Sequence, residues 1–318
     1  RGAKRVLLQF PEGLKAEGPR LAAMVKGTGA LAIVSADPCY GACDLASLDA
    51  ETLSADLLVH YGHSRIMEEG RRIPTIYIEV RAKVSVETAV KEALPLLDGY
   101  RNLGLVTTVQ HVHTLNEVRD LLYKAGKKVT MGEPRGWAKY PGQVIGCDYS
   151  AAESVSDGME AFLFVGGGRF HALGVALATG KPTVVADPYE QRAYSMDKEV
   201  RRILKQRWAS IHEAKEAENF GVLIGLKSGQ KRMGEALRIK EKLEKAGRKA
   251  TLLALREVAP EALMEFPQIE AFVNTACPRI SLDDASRFSK PVLTYKETLV
   301  MLGEVSWEEL CTKGWFRT

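Results

Sequence analysis

The stretch AFLFVGGG, residues 161–168, decides the fold class. Five apolar residues in a row, followed by glycine, are typical of a short strand buried on both faces of a parallel sheet. Two other stretches share this design, DLLVHYG at 56–62 and AFVNTA at 271–276. Each third of the chain is therefore predicted to contain one buried strand that ends at a polar or glycine-rich turn.

Around these strands the same order of elements recurs. Each third opens with an apolar strand, continues with an amphipathic segment of helical period and a second strand, and later reaches a strand that begins with proline. Two of the helical segments, at 115–128 and 233–249, end on Ala-Gly with basic residues, a typical helix terminus. The strands around the buried ones are RVLLQF 5–10, LGLVTT 103–108 and GVLIGL 221–226, then ALAIVSA 30–36, KVTMG 128–132 and ATLLAL 250–255, and last PTIYIEV 74–80, PTVVADP 182–188 and PVLTYKE 291–297.

Strands that alternate with helices predict parallel sheets with right-handed crossovers. The threefold repeat predicts an α/β fold of three similar small domains, each a parallel sheet of about four strands flanked by helices. We place the domains at residues 1–98, 99–208 and 209–318. Because ligands bind at the carboxyl ends of such strands, we expect the three domains to be arranged around a central site.

Composition excludes several classes of protein. The chain is 46% hydrophobic with a net charge of +4, near balance, so no direct binding to nucleic acid is expected. Its apolar runs are far shorter than the roughly 20 residues that span a membrane, and its first residues lack the apolar core of a signal peptide. Five cysteines without short-range pairing fit the reducing cytoplasm, where we expect the protein to work.

Three cysteines lie at the ends of apolar runs, one in each third of the chain. They are Cys43, Cys147 and Cys277. They lie too far apart for the close cysteine pairs of a zinc ribbon, so only the whole fold could bring them together. A site with three thiolates leaves a fourth ligand position open, and open positions are where metal sites do chemistry. Cys39 and Cys43 make a CxxxC, but position 46 is Ala, so a local CxxxCxxC motif is absent.

Seven segments together resemble one family, the archaeal diphthamide-biosynthesis enzymes. They are, in order, LQFPEGL (8–14), YGACD (40–44), VHYGHS (59–64), VGGGRFHALG (165–174), ADPY (186–189), KSGQ (227–230) and NTACPRI (274–280). The resemblance extends over essentially the whole chain, and its blocks occur in the family's order.

This resemblance implies an enzyme that transfers a 3-amino-3-carboxypropyl group from S-adenosylmethionine to a histidine of translation elongation factor 2 by a radical mechanism. It implies a [4Fe–4S] cluster held by Cys43, Cys147 and Cys277, a homodimer, and a reductant for the cluster. S-adenosylmethionine would be cleaved between sulfur and the γ-carbon of its methionine part. The family motif places the ligand after YGA, which selects Cys43 and leaves Cys39 without an assigned role.

Other residues are weaker candidates for binding S-adenosylmethionine. Gly167 and Gly168 would let backbone amides approach a ligand closely, and Gln9 and Gln230 follow equivalent strands of two domains. Arg279 could pair with a carboxylate. The glycines and the glutamines also have purely structural interpretations, as a turn and as helix caps.

His63 is a candidate acid or base, although a histidine in a loop is more often only hydrogen-bonded. Two alternatives to the transferase remain open from the residues alone. One is an iron–sulfur electron-transfer or sensor subunit, and the other is a three-lobed binding protein or a zinc-stabilised scaffold. Cys311, near the terminus, has a structural interpretation.

Overall fold

The computed structural model of the chain describes residues 2–66 and 73–316. The strands of this part of the chain are β1 Arg5–Gln9, β2 Leu31–Val34, β3 Leu57–Tyr61, β4 Thr75–Ile78, β5 Asn102–Thr107, β6 Lys128–Thr130, β7 Ala161–Val165, β8 Thr183–Asp187, β9 Arg192–Ser195, β10 Asn219–Gly225, β11 Lys249–Leu255, β12 Ala271–Asn274 and β13 Val292–Thr294. The α-helices are α1 Gly18–Lys26, α2 Ser47–Thr52, α3 Glu87–Ala93, α4 Leu115–Lys124, α5 Ser150–Glu153, α6 Phe170–Thr179, α7 Asp197–Lys215, α8 Met233–Lys245, α9 Pro260–Met264, α10 Pro278–Leu282, α11 Tyr295–Met301 and α12 Trp307–Lys313.

The strands form three sheets of closely similar topology. The first has the order β2-β1-β3-β4 and the third the matching order β11-β10-β12-β13. The second, β6-β5-β7-β8-β9, adds a fifth strand that runs antiparallel to β8. All the other pairings are parallel, which confirms the predicted α/β fold class. The fifth strand was not predicted, because its four residues show no apolar run.

The buried strands behave as their sequences predict. All five residues of β7 are buried, and β7 lies between β5 and β8. In the first sheet β3 lies between β1 and β4, with His60 buried near its end. An all-apolar strand is stable here because helices or other strands cover both faces of the sheet.

Helices α4 and α8 confirm the two helical predictions but end earlier than the sequence pattern indicated. Gly126 and Gly247 follow them with φ of +78° and +80°, in the left-handed region where glycine has no steric penalty. Each glycine ends its helix, and the next strand begins two residues later, at Lys128 and at Lys249.

By compactness the chain divides into two units, Arg1–Ala82 with Lys227–Gly229, and Lys83–Leu226 with Gln230–Thr318. The first unit contains the first sheet, and the second contains the other two sheets. Helix α3, which precedes the predicted boundary at 98, packs its Ala89, Val90 and Ala93 with the core of the second sheet. The predicted three-domain division remains a prediction.

In the second unit one continuous core joins two sheets. Phe162 and Phe164 of β7 belong to the same buried cluster as Phe220 and Val222 of β10. None of the helices in residues 2–66 and 73–316 combines the length and apolar character needed to cross a bilayer.

Candidate metal centre and substrate site

Cys43 lies in the loop between β2 and α2, and a distant segment of the first unit holds this loop. The backbone N–H of Gly229 donates to the Cys43 carbonyl at 2.7 Å, and the Ser228 hydroxyl donates to the same oxygen at 3.4 Å. Lys227 forms an ion pair with Asp44 at 3.2 Å. The loop that presents Cys43 is therefore held at the Cys43 carbonyl and at the next residue.

Gly229 has no room for a side chain. A Cβ at this position would lie 2.6 Å from both Cα and Cβ of Cys43. Two backbone segments can approach this closely only where one of them is glycine. This explains why the KSGQ motif carries glycine at position 229.

The Gln9 side chain supports the same loop from the end of β1. Its Nε2 donates to the Asp44 carbonyl at 2.7 Å, and its Oε1 accepts the backbone N–H of Ala46 at 3.2 Å. Oε1 also lies 3.0 Å from Nδ1 of His60. In this structure the amide of Gln9, a predicted substrate ligand, joins strand and loop within the protein.

His63 follows β3 and lies against His60, with His63 Nδ1 2.9 Å from His60 Nε2. Burial lowers the pKa of His63 to about 4, so its imidazole is neutral near pH 7. Cys39 lies near this pair, and burial raises the pKa of its thiol to about 12. The candidate acid or base His63 is thus part of a buried group of two histidines and a thiol.

In the second unit Cys147 and Cys277 are brought to the same place. Cys147 lines a cavity of about 340 Å³ whose wall includes Ala276 and Pro278, the two neighbours of Cys277. Tyr149 is buried beside both cysteines, and its pKa is raised well above its ordinary value by burial and then by the Cys147 and Cys277 thiolates. Both thiols are partly exposed, so a ligand in the cavity can reach them.

Tyr149 also explains a glycine of the VGGGRFHALG motif. A Cβ on Gly174 would lie 1.9 Å from the Tyr149 hydroxyl oxygen, so helix α6 can pass the ring only with glycine there. The hydroxyl is buried and has no hydrogen-bond partner among the described residues. Its high pKa keeps the proton in place, so the group remains a donor.

The cavity beside Cys147 is rich in cationic side chains. Arg232, Arg238 and Lys296 line it, together with the carboxylate of Glu235. Arg232 is 3.0 Å from Glu235 and lies over the Trp137 ring at 5.7 Å. Such a wall suits a ligand that carries a carboxylate and an amine.

The glycine run ends β7 as predicted. Gly166 and Gly168 have φ of +150° and +80°, and a Cβ on Gly167 would lie 2.9 Å from the Tyr189 ring. The ring of His111 packs at 5.4 Å from that of Tyr189. Backbone conformation therefore favours glycine at 166 and 168, and the Tyr189 ring leaves no room for a side chain at 167.

The remaining predicted residues lie in the second unit. Gln230 is buried, and a Cβ on Gly225 would lie 3.1 Å from its Cβ. Arg279 is half exposed, pairs with Asp283 at 2.9 Å and lies over the Phe170 ring at 5.2 Å. Asp283 follows α10 as its C-cap.

Sequence reasoning missed three parts of these sites. Lys227 and Ser228 were not connected with Cys43, Tyr149 was not connected with the two cysteines, and Cys39 was not connected with His60. No periodicity marks such contacts, because the partners come from different elements. The only signal was that these residues lie inside or beside the family's motifs.

Three comparisons relate this chain to known proteins. The model of the family described as putative diphthamide synthesis protein matches residues 10–311. The 2-(3-amino-3-carboxypropyl)histidine synthase of Pyrococcus horikoshii is 41% identical, over 95% of this chain and 86% of that protein. Subunit 1 of the human enzyme of the same name is 30% identical, over 96% of this chain and 70% of that protein. A crystal structure of Dph2 from Pyrococcus horikoshii with a 4Fe-4S cluster has a TM-score of 0.89 and 39% identity, and the match covers 98% of this chain and 90% of that one.

Proposed function

This chain belongs to the diphthamide synthesis family and is an enzyme of the 2-(3-amino-3-carboxypropyl)histidine synthase class, and from that premise we propose that it works by a radical reaction of S-adenosylmethionine at a [4Fe–4S] cluster. Its acceptor is a histidine of translation elongation factor 2. The observation that carries the proposal is the pair Cys147 and Cys277 beside one cavity, with Tyr149 buried behind both.

The proposed cluster ligands are Cys43, Cys147 and Cys277. Three features of the chain fit a [4Fe–4S] cluster. They are the two partly exposed thiols of the second unit, the buried Tyr149 hydroxyl beside them, which has no hydrogen-bond partner among the described residues, and the loop that is held around Cys43. When bound, the cluster supplies one electron to S-adenosylmethionine, whose S–Cγ bond breaks to give methylthioadenosine and a 3-amino-3-carboxypropyl radical. The protein's part would be to hold the substrate with this bond turned toward the cluster.

The substrate's amino-acid end needs charged partners, and the cavity beside Cys147 offers them. Arg232 and Arg238 can receive its carboxylate, and Glu235 its amine. Gly167, Gly168, Gln230 and Arg279 remain proposed contacts to the substrate, whereas the amide of Gln9 supports the Cys43 loop. His63, neutral near pH 7, remains a proposed proton acceptor.

The proposed partners follow from the same reaction. The histidine to be modified arrives on elongation factor 2, a separate reductant must reduce the cluster before each turnover, and a homodimer is the proposed assembly. A reducing cytoplasm, proposed from the cysteine usage, would keep five thiols available.

The first test measures iron. Wild-type protein reconstituted under anaerobic conditions is expected to carry about four irons per chain. Cys43→Ala, Cys147→Ala and Cys277→Ala should each lose most of the iron, because a cluster with two protein ligands is labile. Cys311→Ala is the matched control and should keep it. Full cluster absorbance in Cys147→Ala would refute the ligand set.

The second test identifies the bond that breaks. With dithionite, S-adenosylmethionine and elongation factor 2, chromatography should show methylthioadenosine, and mass spectrometry should show one aminocarboxypropyl group on one histidine. If 5′-deoxyadenosine were the main nucleoside product, the wrong bond would have been assigned. A loaded cluster with no cleavage would point instead to an electron-transfer subunit.

A further inference from the structure

Three polar side chains in the first unit form a group apart from the proposed cluster ligands, and of the three only His63 has a proposed part in the transferase reaction. Cys39 comes from the loop between β2 and α2, and His60 and His63 come from the end of β3 and the turn after it. One ligand atom of each lies within 4.8 Å of the other two. Cys39 and His60 are almost fully buried, so burying this group costs free energy unless its polar atoms are well satisfied.

We propose that Cys39, His60 and His63 form a second metal site, separate from the cluster ligands, that takes a zinc-type divalent ion. Among the common biological metals, zinc is well suited to a donor set of one thiolate and two neutral imidazoles. This inference does not rest on the proposed function.

The spacing of the three side chains suits a tetrahedral ion. Zinc holds sulfur at about 2.3 Å and imidazole nitrogen at about 2.0–2.1 Å, so ligand atoms around it lie about 3.3–3.6 Å apart. His60 Nε2 and His63 Nδ1 are 2.9 Å apart, slightly closer than that. Small rotations of the two rings would therefore open the site, with no change in the backbone.

The surroundings orient one histidine as a metal ligand. Gln9 Oε1 accepts the backbone N–H of Ala46, which identifies it as the carbonyl oxygen of the amide, so the facing His60 Nδ1 must donate to it. The lone pair of neutral His60 is then on Nε2, on the side of His63. Metal-binding histidines almost always donate their other nitrogen in this way.

The protonation states also agree with this assignment. Burial keeps His63 neutral near pH 7 and leaves the Cys39 thiol protonated in the absence of a cation. Binding breaks the Cys39 S–H bond, forms a sulfur–metal bond and releases one proton to solvent, with no change of oxidation state. The fourth position belongs to water. A metal here would tie the Cys43 loop to the end of β3.

The test uses cluster-loaded protein, in which the cluster occupies its own thiols. The protein is equilibrated with buffered Zn²⁺ at submicromolar free concentration, freed of excess metal and analysed for zinc and iron by mass spectrometry. About one zinc per chain is expected beside about four irons. Zinc-edge X-ray absorption should show one sulfur and two nitrogen neighbours.

Two variants and two matched controls make the test specific. Cys39→Ser and His63→Gln should each lower zinc occupancy at least tenfold while iron stays near the wild-type value. Cys311→Ser and His113→Gln, the latter on an exposed histidine, should leave zinc unchanged. Zinc below about a tenth of an ion per chain in wild type, or full zinc in Cys39→Ser, would overturn the proposal.

A second background separates this site from the cluster. In Cys147→Ala/Cys277→Ala protein the thiolates of the second unit are gone, and one zinc per chain should still bind. Adding His63→Gln to this background should remove it. Retention of zinc there would mean that the ion binds without His63, which would also overturn the proposal.

Discussion

At the scale of single residues, the sites depend on glycines that sit against functional side chains. Gly229 lies against Cys43, and Gly174 lies against Tyr149. In neither case is φ positive, so the requirement for glycine comes from space and not from backbone conformation. These positions support the sites without touching a ligand.

Gly229→Ala should therefore damage the presentation of Cys43. The added Cβ would lie 2.6 Å from two carbons of Cys43, and overpacking of this kind costs about 1–3 kcal/mol of unfolding free energy. We expect that loss in urea unfolding, together with reduced iron per chain after reconstitution. Gly234→Ala is the control, because the side chain nearest to its added Cβ would be that of the flexible Arg238, at 3.5 Å, and alanine favours a helix. Normal iron and stability in Gly229→Ala would show that the loop can move away without cost.

At the scale of elements, one fully buried ion pair joins helices α7 and α11. Arg207 Nε and Nη2 contact the two Glu297 carboxylate oxygens at 2.6 and 2.8 Å, and both side chains are 0% exposed. Arg207 also donates to the Val292 carbonyl of β13 at 2.8 Å. Glu297 in turn completes a capping box with Thr294. The pair thus connects two helices and a strand of the third sheet.

Arg207→Met should be strongly destabilising, because it leaves the Glu297 carboxylate buried and unpaired. The expected loss in urea unfolding is about 3–5 kcal/mol, and Arg207→Met/Glu297→Gln should recover part of it. Arg202→Met on the same helix is the control: its partner Glu199 is solvent-accessible, so the loss should stay within about 1 kcal/mol. Similar losses for Arg202→Met and Arg207→Met would contradict this account.

At the scale of the whole molecule, the chain leaves sheet edges and apolar side chains open to solvent. Leu31 of the edge strand β2 is 56% exposed, and Leu237 and Met264 are exposed in the second unit. Open edges of this kind are usually covered, and a second copy of the chain is the simplest cover.

We therefore expect a homodimer in solution. Light scattering after size exclusion should give twice the mass of one chain at micromolar concentration, in protein that is loaded with cluster and active. A single-chain mass with full activity would show that one copy suffices for the reaction.

The sequence by itself determined the α/β class, the repeated strand order and the helices α4 and α8, because these depend on local periodicity and on glycine at helix ends. It also indicated the family, and with it the three candidate cluster cysteines. The antiparallel strand β9 was not predictable, since four residues without an apolar run carry no strand signal. Only the tertiary structure placed Lys227–Gly229 beside Cys43, Tyr149 beside Cys147 and Cys277, and Arg207 opposite Glu297. The physical reason is that each such contact joins residues far apart in the chain, and no local pattern records which distant partner a side chain meets.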